Sequence, residues 1–303
     1  MTLTELRYII AVAKEKHFGR AADACFVSQP TLSVAIKKLE DELGAALFER
    51  CNNEIKVTPF GEQIITQAQK VMHEAAILKD MATIQKDQLT GLLRLGAIYT
   101  IGPYLFPALI PQLKKLAPKM PIAIQEDFTE NFRLKLRQGE VDVVILSLPF
   151  TEPGIVTLPL YNEPFVVLLP DTHAWHKKKV INPNALAKEN MLLLGQGHCL
   201  REQILSVCYD CRHTINEQHY IGSSLETLRY MVASGLGITV LPITAAHPTN
   251  EQKTQLSYRP FTQPPPQRQI VLAWRKTFPR PKVIDVLRKA VLACKLEGIQ
   301  PLP

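Results

Sequence analysis

The 303-residue sequence has no long apolar run. Its longest stretches, such as Val141 to Leu148, are of strand length and far short of the ~20 residues that cross a bilayer, which excludes a spanning helix and predicts no membrane partner. A secretory leader pattern is missing too: Glu5, Arg7, Lys14, Glu15 and Lys16 interrupt the first twenty residues, so a cytoplasmic protein is expected. There is no internal repeat. Nor does the N-terminal part carry a surplus of positive charge: residues 1–90 hold 11 Lys and Arg against 12 Asp and Glu, and the net +7 of the chain arises in residues 91–303. Bulk charge therefore argues nothing about nucleic acid. The composition, 46% apolar and 21% charged with a mean hydropathy of zero, excludes a disordered or fibrous chain, and the length suggests two domains or one large α/β domain with an appendage.

Local pattern says more than the totals. Thr2-x-x-Glu5 is a capping-box spacing that opens a helix with Leu3, Leu6, Ile10 and Ala13 on one face. A short alanine-rich helix follows around Gly19 to Ala24, then Cys25-Phe26-Val27 as a turn, then Ser28 as N-cap of a third helix with Pro30 in its first turn. Leu32, Ile36 and Leu39 must face inward, which leaves Pro30, Ser33, Val34 and Lys37 outside, a small polar face that fits a major groove. Lys14, Lys16, Arg20, Lys37 and Lys38 against Glu15 and Asp23 give +3 between residues 14 and 38, enough for phosphate contacts.

Residues 48–57 read as a small hairpin or wing. Thr58-Pro59 then begins a long helix, expected to run to Gln88 and to be roughly 45 Å long. Along it Ile64, Ala68, Val71, Ala75, Leu78 and Ala82 form a heptad seam that predicts dimerisation; the alternative is an amphipathic helix lying on its own domain. From Gly91 short apolar strands alternate with helical stretches, at Leu92–Ile98, Pro121–Phe128, Val141–Leu148, Pro164–Leu169, Met191–Leu194, Gly237–Leu241 and Gln269–Trp274. This predicts an α/β domain with mostly parallel sheets, crossed by the proline-rich stretch 263–267 and closed by a helix over Lys282–Leu296.

One segment carries reactive side chains. Gly195 and Gly197 make a turn after the strand Met191–Leu194 and deliver Cys199 to a helix N-terminus, with His198 and Arg201 beside it; each of these favours thiolate over thiol. His198, Cys199, Cys208, Cys211 and His213 also offer enough ligands for zinc, but their spacing lacks the paired clusters of structural sites, and no metal or cofactor is expected. Cys208-x-x-Cys211 is a second possible redox pair, one helical turn apart. Cys25, Cys51 and Cys294 have no assigned role, and His17, His73 and His247 show no ligand spacing.

Residues 18–50, from Phe18-Gly19-Arg20-Ala21-Ala22 through Ser28-Gln29-Pro30-Thr31-Leu32-Ser33 to Leu39-Glu40, Leu43-Gly44, Leu47-Phe48 and Arg50, resemble the winged helix-turn-helix of LysR-type transcriptional regulators. The resemblance implies an α/β protein with an N-terminal winged helix-turn-helix (1–58), a linker and dimerisation helix (59–90) and a regulatory domain (91–303). That domain would have two α/β subdomains of periplasmic-binding-protein type, about 91–162 with 268–303 and about 163–267. It implies a homodimer or homotetramer on double-stranded promoter DNA, contacted by Gln29, Pro30, Thr31, Ser33, Lys37 and Arg50, and a contact with RNA polymerase. Where the family often has arginine this chain has Val34, a departure that removes one expected base contact.

The stretch Gly195 to Gln203, with Cys208 nine residues after Cys199, further resembles the hydrogen-peroxide sensors of that family. By that resemblance Cys199 reacts with peroxide and forms a disulfide with Cys208, in a pocket formed by Thr100, Thr129, His198, Arg201 and Arg268. Cellular thiol reductants reset the switch, and oxidation changes promoter binding to activate antioxidant genes. If residues 201–208 are helical, Cys199 and Cys208 lie roughly 13 Å apart, whereas a disulfide needs Cα atoms within about 7 Å, so the bond requires the helix to unwind. Closing that loop is worth roughly 2.7 kcal/mol, comparable with the bias of a two-state element. Two other classes compete: a LysR-type regulator sensing a small metabolite between its subdomains, and a thiol peroxidase, which would leave the N-terminal 88 residues idle.

Overall fold

A computed structural model describes residues 1–51, 54–84, 87–207, 221–246 and 255–302. They form two compact units, one made mainly of Met1–Lys86, the other of Asp87–Leu136 and Glu140–Pro303.

In the first unit, α1 (Leu3–Glu15) begins at the expected capping box: Glu5 N–H donates to Thr2 Oγ1 and Thr2 N–H to Glu5 Oε2, at 3.2 and 2.7 Å. After α2 (Phe18–Ala24), α3 (Gln29–Leu43) is closed at one end by Ser28, whose Oγ accepts from Thr31 N–H, and at the other by Gly44 in the left-handed region at φ 72°. Leu32, Ile36 and Leu39 pack on Leu6, Ile9 and Val12 of α1. The wing is the antiparallel pair β1 (Phe48–Cys51) and β2 (Glu54–Val57), tied to α3 by Glu40 Oε1, which accepts from Leu47 and Phe48 N–H.

Thr58 then caps α4 (Pro59–Ile84), its Oγ1 accepting from Gly61 N–H and donating to Ala46 O. The helix stops short of Gln88 because the Asp87 carboxylate accepts from Leu89 N–H and the Thr90 hydroxyl donates to Asp87 O, a local turn that competes with helix. Its 26 described residues span about 39 Å. The heptad seam is also divided. Ala68 is buried in the unit's own core beside Ile65, with Ile64 packed against it, while Val71 and Leu78 are exposed and Ala75 half-exposed. The first three turns thus serve the domain, because α1 lies against them, and among the described side chains beyond them Val71 and Leu78 form an exposed apolar edge. The side chain of Ala82 lies outside the described residues, as does that of Arg50 on β1.

The second unit runs β3 (Leu93–Ile98), α5 (Gly102–Leu116), β4 (Ile122–Asp127), α6 (Thr129–Gln138), β5 (Val143–Ser147) and β6 (Ile155–Pro170). It continues through β7 (Leu193–Leu194), α7 (Cys199–Val207), β8 (Ile221–Gly222), α8 (Leu225–Ala233), β9 (Thr239–Pro242), β10 (Leu256–Pro260), β11 (Gln267–Arg275), α9 (Pro281–Ala293) and β12 (Gln300–Pro301). The main sheet has the order β10-β6-β11-β5-β3-β4, with β9 and β12 also on β6. Among the strands of the described residues only β4-β3-β5 and the pair β7-β8 are parallel, so the expectation of mostly parallel sheets is corrected. The reason is β6, a 16-residue strand that starts nine residues before the apolar run Pro164–Leu169 and pairs antiparallel with β11 throughout the first half of its length.

Two apolar cores sit along this sheet. One gathers Leu95, Leu109, Val144, Leu272 and Leu287; the other gathers Val167, Leu192, Ile204, Leu228 and Val240. Arg280, at the start of α9, donates to the carbonyls of Gln88, Gly91 and Leu92 and so fixes the segment entering the unit. Among the described residues no helix is long and apolar enough to cross a membrane.

Candidate functional site

The outer face of α3 is built by exclusion: with Leu32, Ile36 and Leu39 buried, Gln29, Pro30, Thr31, Val34 and Lys37 are exposed and Ser33 is half-exposed. Thr31 Oγ1 is shared with the capping Ser28 Oγ at 2.8 Å, so one of the predicted DNA contacts also closes the helix.

The cysteine site lies where three strands end. Thr100 follows β3, Thr129 opens α6 after the neighbouring β4, and the turn after β7 carries Gly195 to His198. Gly195 N–H donates to Gly222 O, prolonging the β7-β8 pairing, and the chain then turns at Gly197, whose φ of 94° disfavours any side chain. A Cβ there would also lie 3.2 Å from the Phe128 ring. Cys199 is the first residue of α7; it is half-buried and touches the first core, while Leu200 and Ile204 of the same helix are buried in the second.

Cys199, Thr100, Thr129, His198, Tyr99 and Phe128 face a small pocket, with about 10 Å³ in which a water-sized molecule can place its centre. That is room for about one such molecule, well below the hundreds of Å³ of a metabolite site. Thr129 Oγ1 is buried with no hydrogen-bond partner among the described residues. Thr100 Oγ1 accepts from Arg268 Nη1 at 2.9 Å, and Thr100 O accepts from Arg268 Nη2 at 2.9 Å. Arg268 does not line the pocket itself; it stands behind Thr100, fully paired by Glu163 Oε2, which accepts from its Nε at 2.7 Å.

His198 packs edge-on against Phe128 and Tyr99, with ring centroids 4.8 and 6.1 Å away. Burial pulls its pKa below the usual histidine value, and a backbone hydrogen bond with Ser223 offsets this only in part. The imidazole is therefore neutral at pH 7, and the cationic help expected from His198 is withdrawn. Arg201 is placed elsewhere than the sequence suggests: it is buried, its Nη1 donates to Leu194 O at 3.0 Å, and it does not line the pocket. The side chain folds back toward the end of β7, the direction helical side chains favour.

Two residues that sequence reasoning missed complete the site. Glu163 stands directly opposite Arg268 in the β6-β11 register, a relation that appears only once β6 is extended back to Ile155. Gln203, one turn along α7 from Cys199, donates from Nε2 to Ser147 Oγ and Leu148 O at 2.6 and 2.9 Å and so pins α7 to the end of β5. Cys208, Cys211, His213 and His247 lie outside the described residues, within which no group of three or more His, Cys, Asp or Glu is placed to hold a metal.

Comparison with known proteins joins the two units. The bacterial regulatory helix-turn-helix of the LysR family matches residues 3–62, and the LysR substrate binding domain matches residues 86–293. The chain is 39% identical over 298 residues to the DNA-binding transcriptional dual regulator OxyR of Escherichia coli K12, covering 98% of this chain and 97% of that one. It is similar in structure to a full-length OxyR variant from Pseudomonas aeruginosa, with 50% identity, a TM-score of 0.80 and coverage of 98% and 96% of the two chains. A hydrogen-peroxide-bound OxyR mutant from Corynebacterium glutamicum shares 32% identity at a TM-score of 0.64, with coverage of 96% and 91%. With a DNA-binding and a regulatory domain both matched and relatives aligned over nearly the whole chain, the protein belongs to the LysR family of bacterial transcription regulators and is not an enzyme.

Proposed function

We propose that this chain is a DNA-binding regulator that senses hydrogen peroxide through Cys199. The observation that carries the reading is the pocket: a thiol at a helix N-terminus, a space for one water-sized molecule, and a buried Thr129 hydroxyl that has no partner among the described residues and could take one from a small polar solute. The sulfur attacks one peroxide oxygen, the O–O bond breaks, and Cys199 becomes a sulfenic acid while the departing hydroxide takes up a proton to leave as water. The thiol of Cys208 then attacks that sulfur, releasing a second water and forming the disulfide. Two thiols lose two electrons and one peroxide gains them.

Helix α7 makes this second step a switch. Its eight steps from Cys199 to Val207 span about 12 Å, and one peptide link adds or subtracts at most 3.8 Å, so a residue directly after Val207 stays at least about 8 Å from Cys199. A disulfide needs about 7 Å or less, and α7 must unwind in part to form it. Gln203 and the buried Leu200 and Ile204 are the contacts that resist.

The rest of the reading follows the family. Residues 1–58 bind promoter DNA through Gln29, Pro30, Thr31, Ser33, Lys37 and Arg50. Residues 59–90 dimerise through the exposed part of α4, Val71, Ala75 and Leu78, giving a homodimer or homotetramer. Residues 91–303 sense peroxide, and the protein acts in the cytoplasm through RNA polymerase and is reset by thiol reductants. Several relatives are named hydrogen peroxide-inducible genes activators, among them that of Haemophilus influenzae, 39% identical over 280 residues. The test is a DNA footprint before and after stoichiometric peroxide. The wild type is expected to change its footprint and Cys199→Ser to keep the reduced one; a Cys199→Ser protein that still responds contradicts the reading.

A further inference from the structure

Thr100 faces the same pocket as Cys199, and what lies behind it is a closed chain of charged and polar groups spread over three distant segments. Arg268 on β11 and Glu163 on β6 are directly opposed in register and joined at 2.7 Å, with side chains 1% and 0% exposed. Arg268 spends two further N–H groups on Thr100, one on Oγ1 and one on the carbonyl, both at 2.9 Å. The second oxygen of Glu163, Oε1, accepts from Thr244 N–H at 3.2 Å and from the Thr244 hydroxyl in a short contact. Each partner thus leaves the next only one orientation.

The consequence lies in the hydroxyl of Thr100. A threonine hydroxyl has one proton to donate and lone pairs to accept. Here the guanidinium occupies the accepting side, and among the described residues Oγ1 donates to nothing, so the proton is left for the pocket. A hydroxyl that accepts from a cation is also polarised into a stronger donor. Without Glu163 the arginine would be a buried unpaired charge, free to turn toward any acceptor, and Thr100 would lose its fixed direction.

We infer that Glu163, held by Thr244, is a positioning residue for the peroxide reaction: it orients Arg268, which in turn commits the Thr100 hydroxyl as a donor to the oxygen that leaves when the O–O bond breaks. The inference rests on the peroxide reading above. A purely structural pair would lower stability and nothing more; a positioning pair also sets the rate of the step that needs a donor, and only through Thr100.

The test measures two second-order rates of Cys199 in the full-length reduced protein, one with hydrogen peroxide and one with iodoacetamide, whose iodide leaving group needs no hydrogen bond from Thr100. Glu163→Gln is expected to slow the peroxide reaction about tenfold or more and alkylation less than about twofold, and to cause no further slowing in a Thr100→Val background. Thr244→Val, which keeps the charge pair, is expected to show the same selective pattern at about threefold and serves if Glu163→Gln does not fold. The inference is overturned if these variants leave the peroxide rate unchanged, slow both reagents equally, or add their full effect to Thr100→Val. A wild-type Cys199 no faster with peroxide than free cysteine would instead overturn the peroxide reading itself, so the two failures are separable.

Discussion

Helices α3 and α7 each present functional side chains near their N-termini, yet they are held in opposite ways. Local chemistry closes α3 at both ends, Ser28 at the start and Gly44 at the finish, and its 15 residues approach the length at which a helix is marginally stable alone. Helix α7 has nine residues and depends on what it packs against: Leu200 and Ile204 in the second core and Gln203 on Ser147 and Leu148. A surface that reads DNA needs a fixed shape, whereas the proposed bond between Cys199 and a residue beyond Val207 needs α7 to come apart. The difference teaches that α7 relies on the tertiary contacts of its buried face and Gln203, whereas α3 adds a local cap at each end to its own buried face.

The comparison can be broken most forcefully at Ile204. Ile204→Ala is expected to cost about 2–5 kcal/mol in the regulatory unit and to expose the amides of α7 to hydrogen exchange before the rest of the second core. If α7 and its core lose protection together, the helix is not a separable element. Ser28→Ala should cost the DNA-binding unit about 1 kcal/mol, read as a lower urea midpoint, with no change in the peroxide rate of Cys199. Lys37→Ala should weaken DNA binding uniformly across sequences and flatten the salt dependence of log K by about 0.9, again without touching the redox chemistry.

The smallest effect is that of pH on His198. Its folded pKa lies below the unfolded value, so as pH falls through about 6.5 the unfolded chain takes up the proton first, and stability drops until the folded pKa is passed; above that window His198 contributes no pH dependence. Urea midpoints of the regulatory unit should therefore fall between pH 7.5 and 5.5, and His198→Asn should remove part of that slope.

Much of the first unit could be read from its sequence because its signals are local: the Thr2–Glu5 box, the Ser28 cap and the spacing of Leu32, Ile36 and Leu39 each act within one helix. The limit of α4 and the division of its seam were not visible, because Asp87 forms its own turn and α1 claims Ala68. In the second unit Gly197 and Cys199 announce the turn and the helix start, and Thr100 and Thr129 emerge at strand ends as the resemblance implies. Glu163, Gln203 and the true direction of Arg201 were out of reach, since each depends on partners 105, 56 or 7 residues away whose pairing follows from register and packing rather than from pattern. Two of the three prolines of β6, Pro159 and Pro164, hid the strand that creates the Glu163–Arg268 pair.

The central claim is that a single peroxide is turned into a bond between Cys199 and Cys208 by the partial unwinding of α7. It is tested most directly by a brief pulse of stoichiometric hydrogen peroxide on the purified full-length protein, followed by acid quenching and peptide mapping by mass spectrometry. The account predicts a Cys199–Cys208 linked peptide within seconds, with Cys25 and Cys294 still reduced. A Cys199 that remains reduced while other thiols oxidise slowly, or a Cys208–Cys211 bond formed without it, would contradict the account.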